Sequence, residues 1–136
     1  MKRYTLVFIF NEHLNQVLLI RKTKPEEQAG KLNGIGGKME DFDTDFVDCI
    51  KREVYEETKL SFPREVFLNA GCLTDNTYYH VEIFKVKSTD TFLKMAQTTT
   101  KEEVITLSID SFWKEEFTEH TLEMIDICLQ QFKNNL

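Results

Sequence analysis

Gly34–Leu60, GIGGKMEDFDTDFVDCIKREVYEETKL, joins a glycine-rich opening to a segment dense in acids. Four of the five glycines in the chain fall between Gly30 and Gly37, which concentrates backbone freedom in one loop. Glycine reaches dihedrals closed to other residues and lets a ligand come close to the main chain. After a turn, the spacing predicts a helix from about Thr44 to Lys59, with Asp43 or Thr44 as N-cap and Pro63 marking the exit. A glycine loop feeding a carboxylate-bearing helix suggests a phosphate held by metal ions.

The helix can be laid out at about 100° per residue. With Glu57 as the origin, Ile50 falls near ~+20°, Phe46 near ~−20°, Glu53 near ~−40°, Val54 near ~+60° and Glu56 near ~−100°. The three glutamates share one arc, and Glu57 lies within the apolar stripe that should face the core. A carboxylate there costs several kcal/mol of desolvation unless something compensates it. Arg52 stands one turn before Glu56, at ion-pairing distance. An acidic run on a helix is commonly a solvated face. The preceding glycines and the inward place of Glu57 favour a metal site, because hard cations take several oxygen ligands.

At these residues the chain resembles the Nudix box, the signature of the Nudix hydrolases. Arg52-Glu53-Val54-Tyr55-Glu56-Glu57-Thr58 matches its second half without a gap, and Gly36-Gly37-Lys38-Met39-Glu40 matches its usual opening. There are departures. One extra residue lies between Gly37 and Arg52, Asp43 (or, as second choice, Asp45) stands in for the turn glutamate, and Lys59 replaces a glycine near the helix end. The resemblance implies an α/β (α+β) Nudix fold, a mixed β-sheet sandwiched between helices.

The chain has 136 residues, of which 41% are hydrophobic, enough for one domain spanning 1–136 with a real core. A net charge of −6 argues against a nucleic-acid polymer as partner, since such binders carry a basic face. No stretch approaches a membrane span and Met1-Lys2-Arg3 leads into a strand, so a cytoplasmic protein is expected. Cys49, Cys72 and Cys128 show no paired metal spacing and read as reduced, buried thiols.

Tyr4–Phe10 and Gln16–Lys22 read as strands of a hairpin closed by Asn11–Asn15. Arg21, Lys22 and Lys24 then form a basic cluster that either reaches a phosphate chain or simply ends a strand. Asn33 could read a purine edge through its donor and acceptor, or could make an Asx turn. Val66–Leu73 and Thr77–Val86 read as strands joined by Thr74-Asp75-Asn76. Tyr78, Tyr79 and His80 could line a pocket, His80 reading first as structural. Phe92–Gln97 is ambiguous. Lys101-Glu102-Glu103-Val104 reads as an acidic loop before a strand at Ile105–Ile109. Trp113 falls in a short helical segment, and a last helix at about Thr121–Phe132 packs an apolar face.

The resemblance implies metal-dependent hydrolysis of a nucleoside diphosphate linked to a further group, with Mg2+ as cofactor and Mn2+ an alternative. Glu53, Glu56 and Glu57, helped by the Gly37 carbonyl, would hold the metal. Glu53 or an acid of the pair Glu102 and Glu103 would serve as base, and Arg52 would orient the glutamates. Arg21, Asn33, Gly36, Gly37 and Lys38 are the expected substrate contacts. A nucleoside triphosphate of the 8-oxo-dGTP kind is the first expected substrate, because an Asn-Gly-x-Gly-Gly string resembling this one serves the base pocket of some oxidised-purine hydrolases. ADP-ribose, a nucleotide sugar or a dinucleoside polyphosphate are alternatives, as is a nucleotide-binding module without turnover. The oligomeric expectation is a monomer or homodimer.

Overall fold

In the computed structural model, which describes residues 1–99 and 102–134, β1 (Lys2–Asn11) is the central element. It pairs antiparallel with β2 (Gln16–Arg21) and parallel with β6 (Tyr79–Ser88). β3 (Leu32–Asn33) and β7 (Glu103–Ser108) both pair with β2, β4 (Ile35–Lys38) pairs with β1, and β5 (Leu68–Thr74) pairs with β6. The result is a mixed seven-stranded sheet.

Val7, Phe8, Ile9 and Phe10 are all fully buried, because both faces of β1 are covered. Val7 and Ile9 pack with Ile50 and Val54 of α1 (Phe46–Thr58), on one face. Phe8 and Phe10 pack with Met124, Ile125 and Leu129 of α3 (Thr121–Lys133), on the other. Alternation along a strand thus feeds two cores from one sequence run. The hairpin between β1 and β2 is built on Asn11, whose buried side chain accepts from the backbone N–H groups of Asn15 and Gln16. The sheet sandwiched between helices is the Nudix architecture.

Several boundaries differ from those read in the sequence. The glycine segment is not a loop: Ile35–Lys38 forms a strand, with Gly36 opposite Leu6 and Gly37 opposite Thr5. The helix begins at Phe46, two residues later than expected, and its N-cap is Asp45, which accepts from the Asp48 N–H. Neither Asp43 nor Thr44 caps it; Asp43 is drawn away by Arg52. Strands β5 and β6 start at Leu68 and Tyr79, after the expected Val66 and Thr77, and the ambiguous Phe92–Gln97 opens on the last two residues of a short helix, α2 (Asp90–Leu93). Glu103 and Val104 belong to β7 rather than to a loop, while Lys101 lies outside the described residues. Trp113 falls in a 3-10 turn, Ile109–Lys114.

Lys59 closes α1 with φ of 65° and ψ of 12°, the left-handed cap that glycine takes at least strain. Lys59→Gly is expected to stabilise the fold by up to about 1 kcal/mol, by relieving a β-carbon clash that outweighs glycine's entropy. Urea unfolding of the two proteins checks this; a loss of stability would contradict it.

Candidate active site

Strand β4 passes so close to its neighbours that side chains are excluded. A β-carbon on Gly36 would lie 2.0 Å from the Thr5 carbonyl oxygen, and one on Gly37 would lie 2.5 Å from the Glu53 carboxylate. Glu53 and Glu57 are buried, at 8% and 5% exposure, one turn apart on the inward side of α1. Glu56 stands further round, with its side chain 40% exposed. The inward place of Glu57, worked out from helical angles, is what the structure shows.

Arg52 organises these acids. Its Nε and Nη2 meet the two Asp43 carboxylate oxygens at 3.1 and 2.8 Å, a bidentate fork. Its Nη1 donates to Glu53 Oε1 at 3.0 Å and to Glu56 Oε1 at 3.3 Å. Its Nη2 also reaches the Lys38 carbonyl at 3.4 Å, and the guanidinium carbon lies 5.1 Å from the centre of the Phe42 ring. Asp43, not Asp45, therefore occupies the turn position facing Arg52, and Asp45 pairs instead with Arg64 at 2.7 Å. Hydrogen bonding to Arg52 is the main cause that holds the Asp43 carboxyl below its ordinary value, and the same bond raises Arg52.

The Gly37 carbonyl has Thr5 Oγ1 at 3.5 Å and Cys49 Sγ at 4.0 Å, both long contacts. Burial pushes the Cys49 thiol up to about 11, so it stays neutral behind the site. Beside β4 opens a cleft of about 410 Å³, lined by Asn33, Gly36, Gly37 and Lys38 from the glycine segment and by Lys22 and Gln28. Its volume lies in the range of small-molecule sites.

Arg21 is not among the lining residues. Its guanidinium is taken by Glu115 at 2.9 Å, Glu103 at 3.1 Å and the Gly30 carbonyl at 3.0 Å. Lys22 lines the cleft in its place, and the sequence pattern could have found it. Ile20 is paired with Asn33, and Lys22 shares the parity of Ile20 whereas Arg21 does not. Glu103 is thus spent on Arg21, and Glu102 accepts from the Thr23 N–H at 3.0 Å and faces Lys22 at 3.7 Å. Asn33 Oδ1 accepts from the Gly34 N–H at 2.7 Å and from Thr121 Oγ1 at 3.2 Å, so its acceptor is committed and its amide NH2 is the group left for the cleft.

The donor set on α1 is all oxygen and suits a hard divalent cation. Gly37 leaves a space that a β-carbon would fill, beside the Glu53 carboxylate. Cations of this kind use one or two carboxylates together with substrate phosphates, so the glutamates need not converge on a single point by themselves.

The Asp43–Arg52 pair gives a signed pH expectation. A depressed carboxyl stabilises the native state above its unfolded value of about 3.9, and that contribution is lost as pH falls toward the native value. Asp43→Asn is expected to lose about 3 kcal/mol at pH 7, as for a largely buried pair broken on one side. The gap to the wild type should close as pH drops below about 4. Denaturant titrations at neutral and acid pH check both; a gap that does not change with pH would contradict the assignment.

A NUDIX domain family model matches residues 2–122. No curated protein matches the chain. The fold is similar to the NUDIX domain of Shewanella oneidensis NrtR complexed with ADP ribose, at TM-score 0.80 and 12% identity, over 96% of this chain and 87% of that one. It is also similar to a structure from work on MutT of Aliivibrio salmonicida and Vibrio cholerae (TM-score 0.74, 15% identity, 95% of this chain and 98% of that one). A NUDIX hydrolase from Nitrosomonas europaea gives TM-score 0.69 at 22% identity, over 93% and 86% of the two chains. Family members generally use divalent metal ions and nucleotide substrates. No helix among the described residues is long and apolar enough to cross a membrane. The chain belongs to the NUDIX family, the family of the Nudix pyrophosphohydrolases.

Proposed function

We propose that the chain, acting as one domain, uses Mg2+, or Mn2+ in its place, to hydrolyse a phosphoanhydride bond of a purine nucleoside diphosphate linked to a further group. A nucleoside triphosphate cleaved to monophosphate and pyrophosphate is the first candidate. The observation that carries this reading is the Glu53 carboxylate seated against Gly37, with Glu57 buried one turn on, beside a cleft of nucleotide size.

Glu53, Glu56 and Glu57, with the Gly37 carbonyl, would hold the metal; it would neutralise phosphate oxygens and make a bound water acidic. Arg52 holds Glu53 and Glu56 by Nη1, which fixes where their carboxylates lie before substrate arrives. Glu53 is the favoured proton acceptor for its place against Gly37, whereas Glu103 is drawn to Arg21 and Glu102 to Lys22 and the Thr23 N–H. Lys22 and Lys38, both lining the cleft, supply positive charge to a phosphate chain. Asn33 offers its NH2 to a purine acceptor such as a carbonyl oxygen or a ring nitrogen.

An oxidised purine such as 8-oxo-dGTP is the substrate to try first. Its added ring N–H needs an acceptor, and Asn33 Oδ1 supplies one only if it gives up Gly34 or Thr121. ADP-ribose is the second reading. The likeness to the NrtR domain complexed with ADP ribose favours it, and adenine ring nitrogens suit a donor-only Asn33. A cytoplasmic setting accords with a nucleotide substrate and three free thiols.

The test is a panel of 8-oxo-dGTP, normal triphosphates, ADP-ribose, a nucleotide sugar and a dinucleoside polyphosphate, each with and without Mg2+. Turnover that needs the metal is expected, falling by about 100-fold or more in Glu57→Gln with the fold retained. Asn33→Ala is expected to raise KM about tenfold for the preferred purine, the worth of one hydrogen bond, and to leave kcat nearly unchanged. Silence across the panel, with nucleotide binding retained, would replace the hydrolase by a binding module.

A further inference from the structure

Beside the cleft, whose lining includes Val81 between His80 and Glu82, strands β5 and β6 bring a sulfur, a nitrogen and an oxygen ligand together. Cys72 is the register partner of Glu82, and His80 lies two residues before Glu82 on the same face of β6. One ligand atom from each of Cys72, His80 and Glu82 lies within 4.8 Å of the other two, and no other trio of His, Cys, Asp or Glu among the described residues achieves this. We propose that these three side chains form a binding site for one borderline divalent transition ion of the zinc class, separate from the acidic site on α1.

The ligand set fits that ion and excludes a hard one. Zinc takes thiolate, imidazole and carboxylate in a four-coordinate shell, whereas magnesium and calcium take oxygen alone. Cys72 and Glu82 together carry two negative charges in the bound form, which balances the ion. The Cys72 thiol gives its proton to solvent, and the ion takes the place of the hydrogen between His80 Nε2 and Glu82 Oε1, 2.8 Å apart, the neutral imidazole then carrying its one proton on Nδ1. Cys72, against the expectation of three buried thiols, is exposed on β5, so a water can take the fourth position. The other two thiols are buried, and burial pushes them up to about 11 for Cys49 and about 12 for Cys128.

The surroundings already hold these ligands in place. Asn69 donates to Glu82 Oε2 at 2.9 Å and accepts from the Gly71 N–H at 2.9 Å, tying the carboxylate to the β5 backbone. The strand is irregular there, with a register shift between Asn69 and Gly71 and a φ of 133° at Gly71. Bulges of this kind re-aim the following side chain, here Cys72. On the other side the His80 ring stacks on Phe46 at 5.6 Å between centroids and 27° between planes. Supports that fix ligand orientation are worth about 10- to 100-fold in metal affinity.

The test is titration of the reduced full chain with Co2+, a spectroscopic stand-in for zinc, followed through thiolate-to-cobalt charge transfer. A saturable band at one ion per chain is expected, bleached by Zn2+ and untouched by excess Mg2+. Cys72→Ser should abolish it, His80→Ala and Glu82→Gln should weaken binding at least tenfold, and Asn69→Ala about tenfold. Glu57→Gln and Cys128→Ser should leave the band in place, which separates this site from the α1 acids and from the buried thiol. In the unmodified chain Zn2+ should also protect Cys72 from alkylation, a readout that needs no variant. Absence of the band, a band that survives Cys72→Ser, or alkylation of Cys72 unaffected by Zn2+ would each overturn the proposal.

Discussion

Strand β4 runs between β1 and α1 with no room for a side chain at Gly36 or Gly37. On one side the Thr5 carbonyl occupies the space of a β-carbon, and on the other the Glu53 carboxylate does. The exclusion at Gly36 is by main chain and holds β4 against β1, while the missing β-carbon at Gly37 leaves the Glu53 carboxylate its place beside the strand. It also explains why the glycines form a strand. Pairing with β1 satisfies their backbone groups while the missing β-carbons let α1 settle onto the sheet. The glycines serve close approach between two elements, and the cleft beside them is the consequence.

That close approach leaves the Glu53 and Asp43 carboxylates largely shielded from water, and Arg52 is the compensation. One guanidinium touches Asp43, Glu53 and Glu56, using its fixed fork to spread positive charge over groups that would otherwise repel one another. A lysine could not do this, since a single ammonium cannot meet Asp43 in two parallel bonds while also reaching the helix acids. The extra residue in the turn does not carry Asp43 out of range. It leaves room for Asp45 to cap the helix and for Phe42 to lie against the guanidinium.

The readable parts of the sequence were those governed by periodicity. The hairpin, the two-sided burial of β1 and the inward face of α1 follow from apolar spacing of two and of 3.6 residues. The parts that misled were those decided by competition between equivalent groups. Asp43, Thr44 and Asp45 can each cap a helix, and only the presence of Arg52 and Arg64 in the fold assigns them. Arg21 and Lys22 are equally basic, and only β-strand parity sends one to Glu103 of β7 and to Glu115, just past the 3-10 turn, and the other to the cleft. Glycines 36 and 37 look like a loop in isolation, because nothing local shows that a carbonyl and a carboxylate will press against them. For the same reason Cys72, scattered from His80 and Glu82 in sequence, gave no metal spacing: antiparallel register makes neighbours of residues eight and ten apart.

Two ligand sets of different chemistry therefore stand on the α1 face of one sheet. Phe46, in the first turn of α1, packs into the core beneath the helix and stacks on His80. The glutamates lie further along the same helix, toward Gly37. Oxygen ligands alone favour an ion that keeps waters and shares substrate phosphates, and a thiolate with an imidazole favours one that does not. Selectivity between the two follows from donor type and needs no difference in shape. By donor type alone, the trio on β5 and β6 suits a borderline ion better than Glu53 and Glu57 do.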